Sequence, residues 1–271
     1  MPHRLLSRLF FALLFIAASA SWTGANAQFG PKSGTHAGSV VTTPHVRAEL
    51  MAHAPEGVGP GQPLWLGLQI THQPEWHTYW KNPGDSGLPT ELTWTLPAGL
   101  DAGDIAWPVP RTIRIGTLAN HGYEGTVLLP VPLQVGPAFK APLVGNGTVD
   151  VRLHATWLVC RVECIPEEGD FALQLPVRGS TALNAAAFAQ SQADQPVALP
   201  GDGQGSQVQV QGDRLHLSVR GLPAAARGQT LVLFAETPDV LVPAAVPGKD
   251  WTQAWNGDLW TADLPLSPQR G

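Results

Sequence analysis

Val151-Arg152-Leu153-His154-Ala155-Thr156-Trp157-Leu158-Val159 puts Val151, Leu153, Ala155, Trp157 and Val159 on one face of an extended strand. Phe171, Leu173, Leu175 and Val177 repeat the same two-residue period a little further on. Between them lies Cys160-Arg161-Val162-Glu163-Cys164-Ile165-Pro166-Glu167-Glu168, a short link that carries the only two cysteines of the chain. The pair is therefore expected at or near a strand end or a loop.

Working outward, further apolar stretches at 64–70, 91–96 and 126–135 recur at short intervals. Glycine and proline are abundant, at 29 and 26 of 271 residues, which favours short strands joined by turns over helix bundles. The fold class expected is all-β: an immunoglobulin-like β-sandwich over 39–179. Residues 180–206 read as a short helix at 181–192 and a loose, glycine-rich linker at 196–206. Alternation then resumes at Val208 and Val210, at Leu215, Leu217 and Val219, and at 231–234. Residues 207–271 are accordingly expected to form a second, incomplete β-rich domain.

The amino terminus carries Arg4 and Arg8, an apolar run at 9–18, and the small-residue triplet Ala25-Asn26-Ala27. That pattern predicts a secretory signal over 1–27 followed by a flexible segment at 28–38. An uncleaved anchor is the alternative, but the apolar run is roughly half of the ~20 residues a membrane span needs. Roughly 244 residues then remain, enough for one large or two small domains. The net charge of -5 leaves no basic stripe for nucleic acid. Two cysteines in an exported chain predict one disulfide between Cys160 and Cys164.

In a fully extended strand, α-carbons four residues apart would be about 13 Å from one another, beyond the ~7 Å limit for a disulfide. Arg161-Val162-Glu163 must therefore bend, and Pro166 is expected to end regular pairing on its side. A staple of so few residues contributes only about 2 kcal/mol through loop closure, against nearly 5 for a hundred-residue loop. A close pair in a bend suits exchange better, because one sulfur can be attacked while the other leaves or resolves. Glu163, Glu167 and Glu168 disfavour a thiolate there and Arg161 favours one, so a solvated charged rim is the simplest reading. His72, His77, His121 and His154 show no compact ligand spacing around the cysteines, and neither a metal nor another cofactor is expected.

Three stretches together resemble the amino-terminal domain of bacterial transmembrane disulfide reductases, the DsbD family, and most closely its copper-sensitivity-suppressor branch, ScsB. They are Trp76-His77-Thr78-Tyr79-Trp80-Lys81-Asn82-Pro83-Gly84-Asp85-Ser86-Gly87-Leu88-Pro89-Thr90, the Cys160 segment, and Phe234-Ala235-Glu236-Thr237-Pro238. The resemblance implies a periplasmic, immunoglobulin-like thiol:disulfide oxidoreductase. Such a domain takes electrons from a membrane-embedded donor domain and passes them to periplasmic thioredoxin-fold proteins. By the same resemblance Cys160 and Cys164 are the catalytic pair, with Cys164 the first nucleophile toward the partner. The better-known branch places five residues between its cysteines and this chain three, which leaves partner choice open. The membrane domain and the carboxy-terminal thioredoxin-like domain with its own Cys-x-x-Cys are lacking, so either a fragment of a longer protein, tethered to the inner membrane when whole, or a stand-alone relay is expected, and the ending at Gly271 favours the fragment.

The family shields its cysteines with an aromatic cap loop, whose counterpart here is Asn120-His121-Gly122-Tyr123-Glu124-Gly125. His121 and Tyr123 are thus cap candidates, although Tyr123 reads equally as an ordinary hairpin residue. Tyr79 and Trp80 are candidates to line the cysteine pocket, with 83–87 as a positioning turn; Trp76 and Trp80 read equally as core aromatics. The rival function is a non-catalytic immunoglobulin-like binding or assembly module held by a structural disulfide.

Overall fold

The two alternating stretches around the cysteines pair antiparallel in unbroken register, from Thr148 opposite Pro176 to Cys160 opposite Cys164. The computed structural model describes residues 38–142 and 147–270. The expected signal peptide, residues 28–37 of the segment after it, and Gly271 lie outside the described residues.

In chain order the strands are β1 (Val40–Thr42), β2 (Val46–His53), β3 (Leu64–His72), β4 (His77–Gly84), β5 (Glu91–Thr95) and β6 (Leu100–Ala102). Next come β7 (Arg111–Ile115), β8 (Leu118–Glu124), β9 (Thr126–Val135), β10 (Thr148–Cys160) and β11 (Cys164–Pro176). Helix α1 (Ala185–Ala193) leads to β12 (Gln207–Gln211), β13 (Arg214–Val219), β14 (Thr252–Asn256) and β15 (Leu259–Pro265).

One sheet runs β1-β2-β3-β9-β6, and the facing sheet runs β11-β10-β4-β8-β7 with β5 also paired to β10. Val151, Leu153, Ala155, Trp157 and Val159 of β10 share one core with Leu50, Leu66, Leu68, Ile70, Leu129 and Val131 of the other sheet. Each valine, leucine or isoleucine among them contributes about 1.5–3 kcal/mol by leaving water. A one-residue slip of β10 would turn all five of its core residues outward, so burial fixes the register. The architecture is the all-β, immunoglobulin-like sandwich that the alternation predicts.

Pro166 does not end the pairing. It sits inside β11 opposite Leu158, and the ladder tolerates it because β11 is the last strand of its sheet and needs no amide donor on its outer edge.

Helix α1 is docked on the sandwich. Phe188 packs with Met51 and Leu128, and the Ser191 hydroxyl donates to the Leu128 carbonyl at 3.0 Å. A third sheet, β12-β13-β15-β14, closes over Leu215, Leu217, Trp251, Trp260, Ala262, Leu264 and Leu266. Residues 231–234 are irregular where alternation predicted a strand. Leu231 and Leu233 pack on the core of this third sheet, while Phe234 packs on the core of the sandwich. Among the described residues no helix is long and apolar enough to cross a membrane.

Candidate redox site

The hairpin tip is built by three residues. Arg161 N–H donates to the Glu163 carbonyl at 3.1 Å, which brings the α-carbons of Cys160 and Cys164 to 4.1 Å, and the two sulfurs are bonded. Cys160 follows the core residue Val159 and so faces outward from the sandwich, yet it is fully buried, whereas Cys164 is exposed. The two halves of one disulfide therefore meet different environments: Cys164 stands where a partner can reach it, and Cys160 does not.

The cover over Cys160 comes from β4. His77 lies opposite Cys160 in the ladder, and Tyr79, two residues on, projects from the same face. The Tyr79 hydroxyl is 3.6 Å from Cys164 Sγ. Burial pushes the Tyr79 phenol up, opposed in smaller part by the nearby Ser86 side chain, so the ring remains a neutral donor at neutral pH. His77 packs edge-on against that ring with centroids 5.2 Å apart, and burial holds its imidazole below the ordinary value.

Residues 85–89 lie across the Tyr79 ring. A Cβ at Gly87 would come within 2.3 Å of it, and Gly87 adopts φ +105°, so only glycine fits there without strain. Ser86 donates to Asn120 Oδ1 through both its amide and its hydroxyl. The Asp85 carboxylate accepts the Ala119 amide at 2.7 Å. The 83–87 turn is thus held against β8 while it holds Tyr79 near the sulfurs.

Of the residues expected around the cysteines, Tyr79 is there and three are elsewhere. Trp80 alternates with Tyr79 and so faces the core. It forms an edge-to-face cluster with His121 and Phe234, in which His121 and Phe234 are 5.0 Å apart. The expected cap loop is strand β8 for most of its length. Tyr123 stands opposite Thr78, on the core side of that sheet, and donates its hydroxyl to the Pro108 carbonyl at 2.7 Å. Burial raises its phenol strongly. The ring beside the sulfurs is therefore Tyr79, and Tyr123 is a core residue with a satisfied hydroxyl. From the sequence His77 is weighed only as a metal ligand, not as part of the cysteine surroundings. Its two-residue spacing from Tyr79 was the available signal.

The charged rim is also less uniform than expected. Glu167 turns inward and accepts hydrogen bonds from Thr43, His45 and Trp157. Arg161 lies over the Trp76 ring, 5.3 Å from its centroid, and 3.8 Å from the Glu75 carboxylate. Val162 at the tip and Leu88 in the covering loop are left 82% and 65% exposed. The hairpin tip beside Cys164 thus mixes the exposed apolar Val162 with the charged Arg161 and Glu163.

Residues 47–176 match the family model described as "Thiol:disulfide interchange protein DsbD, N-terminal". The fold is similar to the crystal structure of the N-terminal periplasmic domain of ScsB from Proteus mirabilis. That match has a TM-score of 0.55 and 19% sequence identity, and it covers 85% of this chain and 84% of the other. No curated protein matches the chain.

Proposed function

We propose that this chain, whose residues 47–176 match the family model for the amino-terminal domain of DsbD thiol:disulfide interchange proteins, is a periplasmic electron-relay domain working through Cys160 and Cys164. The observation that carries the reading is the asymmetry of the pair, with Cys164 exposed at a hairpin tip and Cys160 enclosed behind it. In the dithiol form, Cys164 thiolate attacks a disulfide of a thioredoxin-fold partner, forming a mixed disulfide and releasing one partner thiolate. Cys160 then attacks Cys164 Sγ, which closes the internal disulfide and releases the second partner thiolate. The partner gains two electrons and the domain loses two. A membrane-embedded dithiol donor restores the reduced pair. The sandwich is the redox domain in this scheme, and residues 207–271 form a second domain that braces it through Phe234.

Localisation in the periplasm is supported by the signal-like amino terminus and by the compartment named for the related ScsB structure. The reading is tested by the reduction potential of the pair in dithiol buffers. An exchange-active disulfide equilibrates above about -300 mV, while a bond well below that value is a structural staple and would make the chain a binding module.

A further inference from the structure

We infer that His77 accepts the proton of the Cys160 thiol when the pair is in its dithiol form, so that an enclosed sulfur can close the catalytic disulfide. This inference rests on the exchange reading above and assigns that reaction a base. His77 is 1% exposed, and its Nε2 is buried without a hydrogen-bond partner. Buried ring nitrogens are usually partnered; of His53, His77 and His121, which each carry a buried ring nitrogen without a partner, His77 is the one that pairs across the ladder with a cysteine. The antiparallel register sets His77 opposite Cys160, with Cβ atoms about 4.5–5.5 Å apart on the same face.

The redox state of the pair supplies a reason for the missing partner. In the disulfide, Cys160 Sγ has no proton to donate. In the dithiol it becomes an S–H group on the residue directly across the ladder from the one that carries this unpartnered acceptor. Water cannot readily take that proton, because Cys160 is 0% exposed. Burial lowers His77 below its ordinary value, which keeps the imidazole neutral and able to accept at neutral pH.

The other titratable and charged groups around His77 are few. Tyr79 is on its own strand, Glu124 lies opposite it on β8, Glu75 precedes it, and His72 ends β3. Arg161 and Glu163 come from the hairpin tip, with Arg161 drawn toward Glu75. Among the described residues none of these carboxylates forms an ion pair with His77.

The step balances without an outside reagent. With Cys164 bound to a partner sulfur, the Cys160 proton moves to His77 Nε2 and the thiolate attacks Cys164 Sγ. The Cys160–Cys164 bond forms, the Cys164–partner bond breaks, and the partner sulfur leaves with the electron pair. The imidazolium then returns its proton to the departing thiolate or to solvent.

The test follows this closure directly. Reduced protein is mixed with glutathione disulfide, quenched in acid at intervals between pH 6 and 8, and the glutathione adduct on Cys164 is followed by mass spectrometry. In the wild type, adduct decay should be nearly independent of pH. In His77→Leu, decay at pH 7 should slow at least tenfold and then rise about tenfold per pH unit, as hydroxide takes over the role. Adduct formation by Cys164 should stay within twofold. His77→Gln, which keeps the volume and a hydrogen bond but cannot take the proton, should show the same loss and covers the case of a misfolded leucine variant. Decay within twofold of wild type in a folded variant, or a wild-type rate that already climbs with hydroxide, would overturn the role of His77. A wild-type protein that forms no adduct at Cys164 would instead overturn the exchange reading itself.

Discussion

The Tyr79 hydroxyl stands 3.6 Å from Cys164 Sγ, while Cys160, bonded to that same sulfur, is wholly enclosed. The exposed cysteine thus carries a neutral hydrogen-bond donor, and the enclosed one is approached through its bonded neighbour. A donor aimed at sulfur favours the thiolate over the thiol.

Tyr79→Phe keeps the ring and removes that donor. In a Cys160→Ala background, alkylation of Cys164 by iodoacetamide at pH 7 should fall roughly three- to tenfold, because less of the sulfur is thiolate. Stability should change little compared with Tyr79→Ala, which empties a fully buried site and should cost about 3–5 kcal/mol in urea denaturation. Unchanged alkylation in Tyr79→Phe would show that the phenol only packs.

Gly87→Ala drives a methyl group into the Tyr79 ring at a backbone conformation that alanine resists. A loss of about 1–3 kcal/mol is expected. Because the ring must move away from the sulfurs, reduction of the native disulfide by dithiothreitol should also accelerate. Equal reduction rates for the two proteins would separate the loop from access to the cysteines.

Tyr123 should behave as a core residue. Tyr123→Phe strands the Pro108 carbonyl and should cost about 1–3 kcal/mol; Tyr123→Ala should cost about 3–5 kcal/mol. In the folded Tyr123→Phe protein the dithiothreitol reduction rate should remain within about twofold of wild type, since the ring faces away from the sulfurs. A large acceleration without lost stability would return the cap role to Tyr123.

Acid should weaken the sandwich through its buried histidines. Burial lowers His72 from 6.5 to about 4, so the unfolded chain takes up a proton before the native one does. The stabilisation is fully present above pH 6.5 and is lost as the pH falls from 6.5 to about 4. For His72 alone this amounts to roughly 3 kcal/mol. His77 and His121 are lowered by burial as well and act in the same direction. Urea midpoints measured at pH 7.5, 5.5 and 4.5 should fall in that order, with a shallower trend in His72→Gln.

The sandwich was legible because β10 and β11 write their alternation plainly, with burial on only one face of each. The close cysteine pair was legible for a related reason: three residues between two alternating strands leave room only for a tight bend. The surroundings of the pair were harder to read. Tyr79 and Trp80 are neighbours in sequence, yet the pleat sends one to the sulfurs and the other to Phe234. Tyr123 follows a glycine and precedes Glu124-Gly125, which looks like loop chemistry. Pairing with β4 and β7 makes the segment a strand instead. His77 gains its place from a single ladder contact with Cys160, more than eighty positions along the chain, and its two-residue spacing from Tyr79 says only that the two share a face. Residues 231–234 alternate like a strand, but Leu233 and Phe234 are drawn to different cores.

The central claim, that Cys164 attacks and Cys160 resolves, is tested most directly by trapping. Reduced Cys160→Ala and Cys164→Ala proteins are each mixed with a purified thioredoxin-fold oxidoreductase in its disulfide form, and the covalent adducts are quantified on non-reducing gels and by mass spectrometry. Cys160→Ala keeps the exposed nucleophile and lacks the resolving thiol, so it should accumulate about tenfold more adduct than Cys164→Ala. Equal trapping by the two variants, or more from Cys164→Ala, would contradict the assignment.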